Sequence, residues 1–91
     1  MWIMQIPVVS TRHITPQTMQ AITGLADNLP VVVAPTPWGA FVGVGEADTS
    51  DTDAPYQDLY PLFKWAQDND YEWIRLDADG DEVDDLPTYE W

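Results

Sequence analysis

Tyr71-Glu72-Trp73-Ile74-Arg75-Leu76-Asp77 is the stretch whose reading decides the fold. Apolar and polar residues alternate along it, with Glu72, Ile74 and Leu76 on one side and Tyr71, Trp73, Arg75 and Asp77 on the other. Successive side chains of an extended chain point to opposite faces, so the alternation predicts a β-strand. Immediately before it, Leu59, Leu62, Phe63 and Ala66 recur at helical spacing. Asp58 is suited to cap that helix, Pro61 then falls in the first turn, where its missing N–H costs nothing, and the helix ends near Asn69. Beyond the strand, Asp79-Gly80 is a pair favoured in two-residue hairpin turns. It predicts a short acidic return strand from Asp81 to Asp85 around Val83. The tail Leu86-Pro87-Thr88-Tyr89-Glu90-Trp91 follows, with Trp91 expected to dock on the body.

Working back toward the N-terminus, Val31-Val32-Val33-Ala34 is a β-branched run that reads as a buried strand. Ala40-Phe41-Val42-Gly43-Val44 pairs with it as a hairpin whose loop lies near Trp38-Gly39. Gly43 and Gly45 leave space for another element to approach closely, or for a bulge. A helix is predicted from Pro16 to Asn28: Thr15 is a good N-cap, Pro16 fits the first helical position, and Met19, Ile22, Ala26 and Leu29 form an apolar stripe. Residues 5–9 form a first short strand, at an edge or starting after Pro7, which cannot donate to a ladder. The order β-α-β-β-α-β-β gives an α+β fold: a small, mainly antiparallel sheet with both helices on one face. Residues 1–91 read as one domain, with a mobile acidic loop at 46–55.

The chain has 91 residues with 3 Lys+Arg against 16 Asp+Glu, a formal net charge of −13. Residues 1–45 hold one acid (Asp27) and one base (Arg12), so the entire excess lies in residues 46–91. Such a chain has no basic footprint for direct contact with nucleic acid and no attraction to an anionic membrane. No run of 18 apolar residues is present, and the short apolar N-terminus lacks the basic start of a signal peptide, so cytoplasmic residence is the default. The absence of cysteine excludes disulfides and thiolate chemistry. Five Trp and four Tyr supply enough burial for a folded domain despite the charge.

No recognised catalytic or cofactor motif is present. Asp77-Ala78-Asp79-Gly80-Asp81 puts ligand types at positions 1, 3 and 5 of a calcium loop. Gly80, however, falls at position 4, and Thr88 occupies position 12, where a glutamate is needed. Gly43-x-Gly45 lacks the lysine and following helix of a phosphate loop. His13, the only histidine, is expected to bond the backbone of the strand-to-helix turn; the sharper reading is a base or metal ligand. No metal or cofactor site is expected. The most distinctive feature is the run of six acids in nine residues: Asp77, Asp79, Asp81, Glu82, Asp84 and Asp85. On an extended strand the carboxylates at 77, 79 and 81 form a row that imitates a nucleic-acid backbone. The loop acids Glu46, Asp48, Asp51 and Asp53 extend the patch. Trp38 and Trp91 are the aromatic anchors expected beside it. The competing reading of the charge is solubility.

The stretch Ser10-Thr11-Arg12-His13-Ile14-Thr15-Pro16, the hairpin residues Val32-Val33-x-Pro35-Thr36…Gly39-x-Phe41-Val42, and the ending Trp73-Ile74-Arg75-Leu76-Asp77-x-Asp79-Gly80…Leu86-Pro87-Thr88-Tyr89-Glu90-Trp91 carry a resemblance. They resemble an uncharacterised family of small acidic bacterial proteins carried on plasmids and integrated mobile elements. The resemblance implies a setting, accessory genes that help a mobile element against host defences, and carries over no functional residues. Charge and resemblance together lead to a non-enzymatic inhibitor of a basic, nucleic-acid-handling defence protein, of the anti-restriction or anti-CRISPR type and acting as a DNA mimic. The alternatives are an antitoxin or immunity protein for a basic nuclease toxin, and a small enzyme or metal-dependent protein centred on His13.

Overall fold

The computed structural model describes residues 1, 3–26, 29, 31–45, 47 and 56–91. Its elements are β1 (Val8–Ser10), α1 (Pro16–Thr23), β2 (Val33–Thr36), β3 (Gly39–Gly43), α2 (Tyr60–Asp68) and β4 (Trp73–Asp77), with 3-10 turns at Thr11–His13 and Gln57–Leu59. The four strands form one sheet in the order β1-β4-β3-β2. β4 is antiparallel to β3 and parallel to β1, and β2 and β3 are an antiparallel hairpin. The α+β fold with a mainly antiparallel sheet is therefore as the sequence predicts.

The pleat places both helices on one face. Ala40 pairs with Leu76, Val42 with Ile74, and Val9 with Leu76, so these five side chains share a side of the sheet. All five are buried in one cluster with Met19 and Ile22 of α1 and Leu62, Phe63 and Ala66 of α2. Fully burying side chains of this size contributes about 1.5–3 kcal/mol each, which offsets the small core area a chain of this length offers. The other face carries Phe41, Trp73, Arg75 and Asp77, all half-buried.

Local details depart from the sequence reading for physical reasons. Thr15 caps α1 as predicted, accepting the Thr18 N–H at 3.2 Å. Asp58 does not cap α2, which begins at Tyr60 with Leu59 at its cap. Its carboxylate instead accepts the Thr15 N–H at 2.8 Å and the Thr18 hydroxyl at 2.7 Å. An acid from a distant turn thus serves the positive end of α1. α1 stops at Thr23 rather than Asn28: Gly24 is the C-cap, and Leu25 takes a left-handed φ of 52°. Leu25 and Ala26 donate to Ile22 and Ala21 oxygens at 3.2 and 3.0 Å, the paired bonds of a Schellman ending. α2 ends the same way, with Asp70 left-handed and Tyr71 bonded to the Ala66 oxygen at 2.9 Å. Asp27, Asn28 and Pro30 lie outside the described residues, as does Trp2.

The first strand begins after Pro7, whose carbonyl accepts the Arg75 N–H at 2.9 Å, and covers 8–10 rather than 5–9. β2 is an edge strand, not a buried one: it pairs on one side only, and Val32 just before it is 70% exposed. Pro35 suits that place, because an edge strand can lack a donor.

The acidic return strand at 81–85 does not form. β4 is central, with β1 on one side and β3 on the other, so no edge is left for a hairpin partner. The chain turns at Ala78-Asp79, with the Asp77 carboxylate accepting the Asp79 N–H at 2.9 Å. Gly80 then passes so close to β1 that an added Cβ would lie 2.5 Å from the Val9 carbonyl. Asp81 pairs with Val9 in an isolated parallel bridge, and its carbonyl takes the Ser10 N–H at 2.8 Å. Alternate residues of β1 turn their backbone groups to opposite edges, so Asp81 covers the edge that β4 does not.

Candidate partner-binding surface

Segment 10–14 and the C-terminal residues 81–91 are held together by a ladder of hydrogen bonds. The Ser10 N–H donates to the Asp81 carbonyl, as above. The imidazole of His13, 1% exposed, bonds backbone at both nitrogens: the Val83 N–H donates to Nε2 at 2.8 Å, and Nδ1 lies 2.9 Å from the Pro87 carbonyl. Nε2 is therefore an acceptor and Nδ1 the protonated donor, the neutral ring in its Nδ1–H tautomer. Tyr89 N–H donates to the Arg12 carbonyl at 2.8 Å, and Trp91 Nε1–H to the Ile14 carbonyl at 3.1 Å. Leu86, just before Pro87, is buried in the main core. The C-terminal segment is thus a strap across the start of α1. His13 fastens this strap and not, as the sequence suggested, the strand-to-helix turn, and neither ring nitrogen faces solvent.

The outer side of the strap holds most of the predicted acids. Asp79, Asp81, Glu82, Asp84 and Asp85 are exposed. They do not form a regular row with Asp77, because the turn at 78–79 breaks the extended chain. Asp77 faces the open side of the sheet, where its side chain is only 14% exposed and lies 3.2 Å from Arg75. Glu82 pairs with Arg12 at 2.8 Å across an exposed surface. Among the described residues, Asp79, Asp81, Asp84 and Asp85 have no cationic partner. Trp91 keeps 59% of its surface exposed despite its indole bond. Trp38, 63% exposed, sits at the tip of the β2–β3 hairpin, and its carbonyl accepts the Ala78 N–H at 3.1 Å. That bond brings Trp38 beside the acidic turn. Glu46, Asp48, Asp51 and Asp53 lie outside the described residues.

A second surface was not singled out from sequence. On the open face the Arg75 guanidinium lies 5.7 Å over the Phe41 ring, and the Trp73 ring rests against Gly43. A cleft of about 700 Å³ opens there, lined by Val31, Val32, Gly43, Gly45, Ala47, Glu72 and Trp73. A second, of about 360 Å³, runs from Glu72 to Asn69, Asp70 and Tyr71 and to Ile3, Met4 and Gln5. The signal was the close approach that Gly43 and Gly45 allow: an added Cβ at Gly45 would meet Glu72 Cα at 3.3 Å, and the Gly45 N–H donates to the Glu72 carbonyl at 3.1 Å. Among the described residues no group of three or more His, Cys, Asp or Glu side chains is placed to hold a metal ion, and no helix is long and apolar enough to cross a membrane.

Residues 6–91 match the family described as "Family of unknown function (DUF5983) C-terminal domain", and the chain belongs to that family. No curated protein and no solved structure matches the chain.

Proposed function

We propose that the protein is a non-catalytic inhibitor that binds a basic, nucleic-acid-handling protein of a host defence system, in the setting of a mobile genetic element. The observation that carries this reading is the outer side of the strap. Asp79, Asp81, Asp84 and Asp85 are exposed and lack cationic partners among the described residues. They also sit on a backbone already fixed by His13, Ser10 and Leu86. Fixed charge costs little ordering when a partner docks, and it steers the encounter with an opposite charge. Trp38, beside the acidic turn, and Trp91, at the end of the strap, are exposed aromatics of the kind that anchor interfaces. The acids are spread over a turn and a strap rather than a straight row, so mimicry of a nucleic acid would rest on the field they make and not on phosphate spacing.

The experiment is capture of host proteins on the immobilised chain at low and high salt, with duplex DNA as competitor. The reading expects retention of nucleic-acid-binding proteins, release as salt rises, and displacement by DNA. Retention that salt and DNA leave unchanged would contradict it. The same surface suits a basic nuclease toxin; a captured nuclease encoded beside the gene assigns the protein as an antitoxin or immunity protein instead.

A further inference from the structure

We propose that the groove at the N-terminal end of β4 receives an extended basic segment of the protein partner, with an arginine or lysine head group held at Glu72 and Asp70. This deepens the reading above, since it rests on a basic partner, and places a second contact away from the strap. Trp73 and Asp77 mark the two ends of β4, about 13 Å apart at strand rise.

Glu72 lines both clefts, so a head group at its carboxylate borders each of them. The larger one is lined by Gly43 and Gly45, which contribute no side chain, together with Trp73, Val31, Val32 and Ala47. Asp70 lines the smaller one, positioned by the Schellman ending of α2. The Glu72 backbone is fixed by N–H groups of Val44 and Gly45 at 2.8 and 3.1 Å.

Charge selects the occupant. The charged lining residues are Glu72 and Asp70, both exposed acids, with no cation among them. The chain's three basic side chains are all paired elsewhere, Arg12 with Glu82, Lys64 with Asp68 and Arg75 with Asp77. The charged side chains that line the groove are therefore all acids. An apolar segment would strip water from Glu72 without replacing its hydrogen bonds, and an acidic one would be repelled. An arginine or lysine meets both halves: its aliphatic stem lies along Trp73 and the valines, and its charged head reaches the carboxylates.

The test is titration of the ¹⁵N-labelled full chain with acetyl-Arg-Ala-Arg-amide, followed by amide and indole NMR shifts. Acetyl-citrulline-Ala-citrulline-amide, neutral and of similar shape, is the control. Saturating shifts at Gly43, Gly45, Glu72 and the Trp73 indole, absent with the citrulline peptide and weakened about fivefold in Glu72→Gln, support the proposal. Shifts confined to 79–85, equal shifts with the neutral peptide, or an unchanged affinity in Glu72→Gln overturn it. Glu72 is exposed, so the variant retains the fold, and unaltered shift dispersion verifies that. If the groove titrates but capture proves insensitive to salt and DNA, the inhibitor reading fails while the groove stands. If capture behaves as expected and the groove does not titrate, the reverse holds.

Discussion

The two sides of the C-terminal strap differ in every respect that matters for assigning roles. Its inner side is neutral and satisfied: Val83 and Pro87 bond the buried imidazole of His13, Leu86 enters the core, and Tyr89 and Trp91 bond the backbone at Arg12 and Ile14. Its outer side is charged and exposed, with four carboxylates that have no cationic partner among the described residues. The inner side is explained by folding. The outer side adds self-repulsion, which destabilises the compact state and weakens with salt. The difference separates residues the fold needs from residues available to a partner, within one stretch of chain.

Breaking the inner side has the largest expected effect. His13→Ala leaves the Val83 N–H and the Pro87 carbonyl without their partner and opens a cavity, a loss of about 3 kcal/mol by denaturant unfolding. Amide exchange at Val83 accelerates in the same variant. A loss below about 0.5 kcal/mol would show that the strap is not fastened there.

Asp58 sharpens the contrast, because it is an acid turned inward. Asp58→Ala removes the acceptor of the Thr15 N–H and the Thr18 hydroxyl, at a cost of about 2 kcal/mol in the same measurement. The border pair is worth far less. Glu82→Gln breaks the exposed pair with Arg12 and changes stability by about 0.5 kcal/mol or less. Smallest is the outer side itself. Asp79, Asp81, Asp84 and Asp85 changed together to Asn leave the unfolding temperature unchanged at high salt and raise it slightly at low salt, since repulsion is relieved. A clear destabilisation at both salts would give these acids a structural role and dissolve the comparison.

How much of this the sequence disclosed follows from the range of each interaction. The alternation from Trp73 to Asp77 and the Thr15-Pro16 start of α1 are local, and both stand as read; Tyr71 and Glu72 lie before β4, and Glu72 is exposed. The short α1 was missed because Gly24 precedes the left-handed position, which Leu25 occupies in place of the expected glycine. The acidic hairpin was misread because Asp79-Gly80 is a fair turn signal, while the occupancy of both edges of β4 is a property of the whole sheet. His13 meets partners 70 and 74 residues away, which no local pattern shows. The quoted motifs held a trace of this: the stretch Ser10 to Pro16 and the ending Leu86 to Trp91 prove to be the two sides of one contact.

The most direct test of the outer side as a binding surface is the association rate with the captured partner as a function of ionic strength. We expect a rate for the wild-type chain that falls steeply with salt, and a slow, nearly salt-independent rate for the chain with Asp79, Asp81, Asp84 and Asp85 changed to Asn. Equal rates for the two chains at every salt concentration would contradict the assignment and leave solubility as the explanation of the charge.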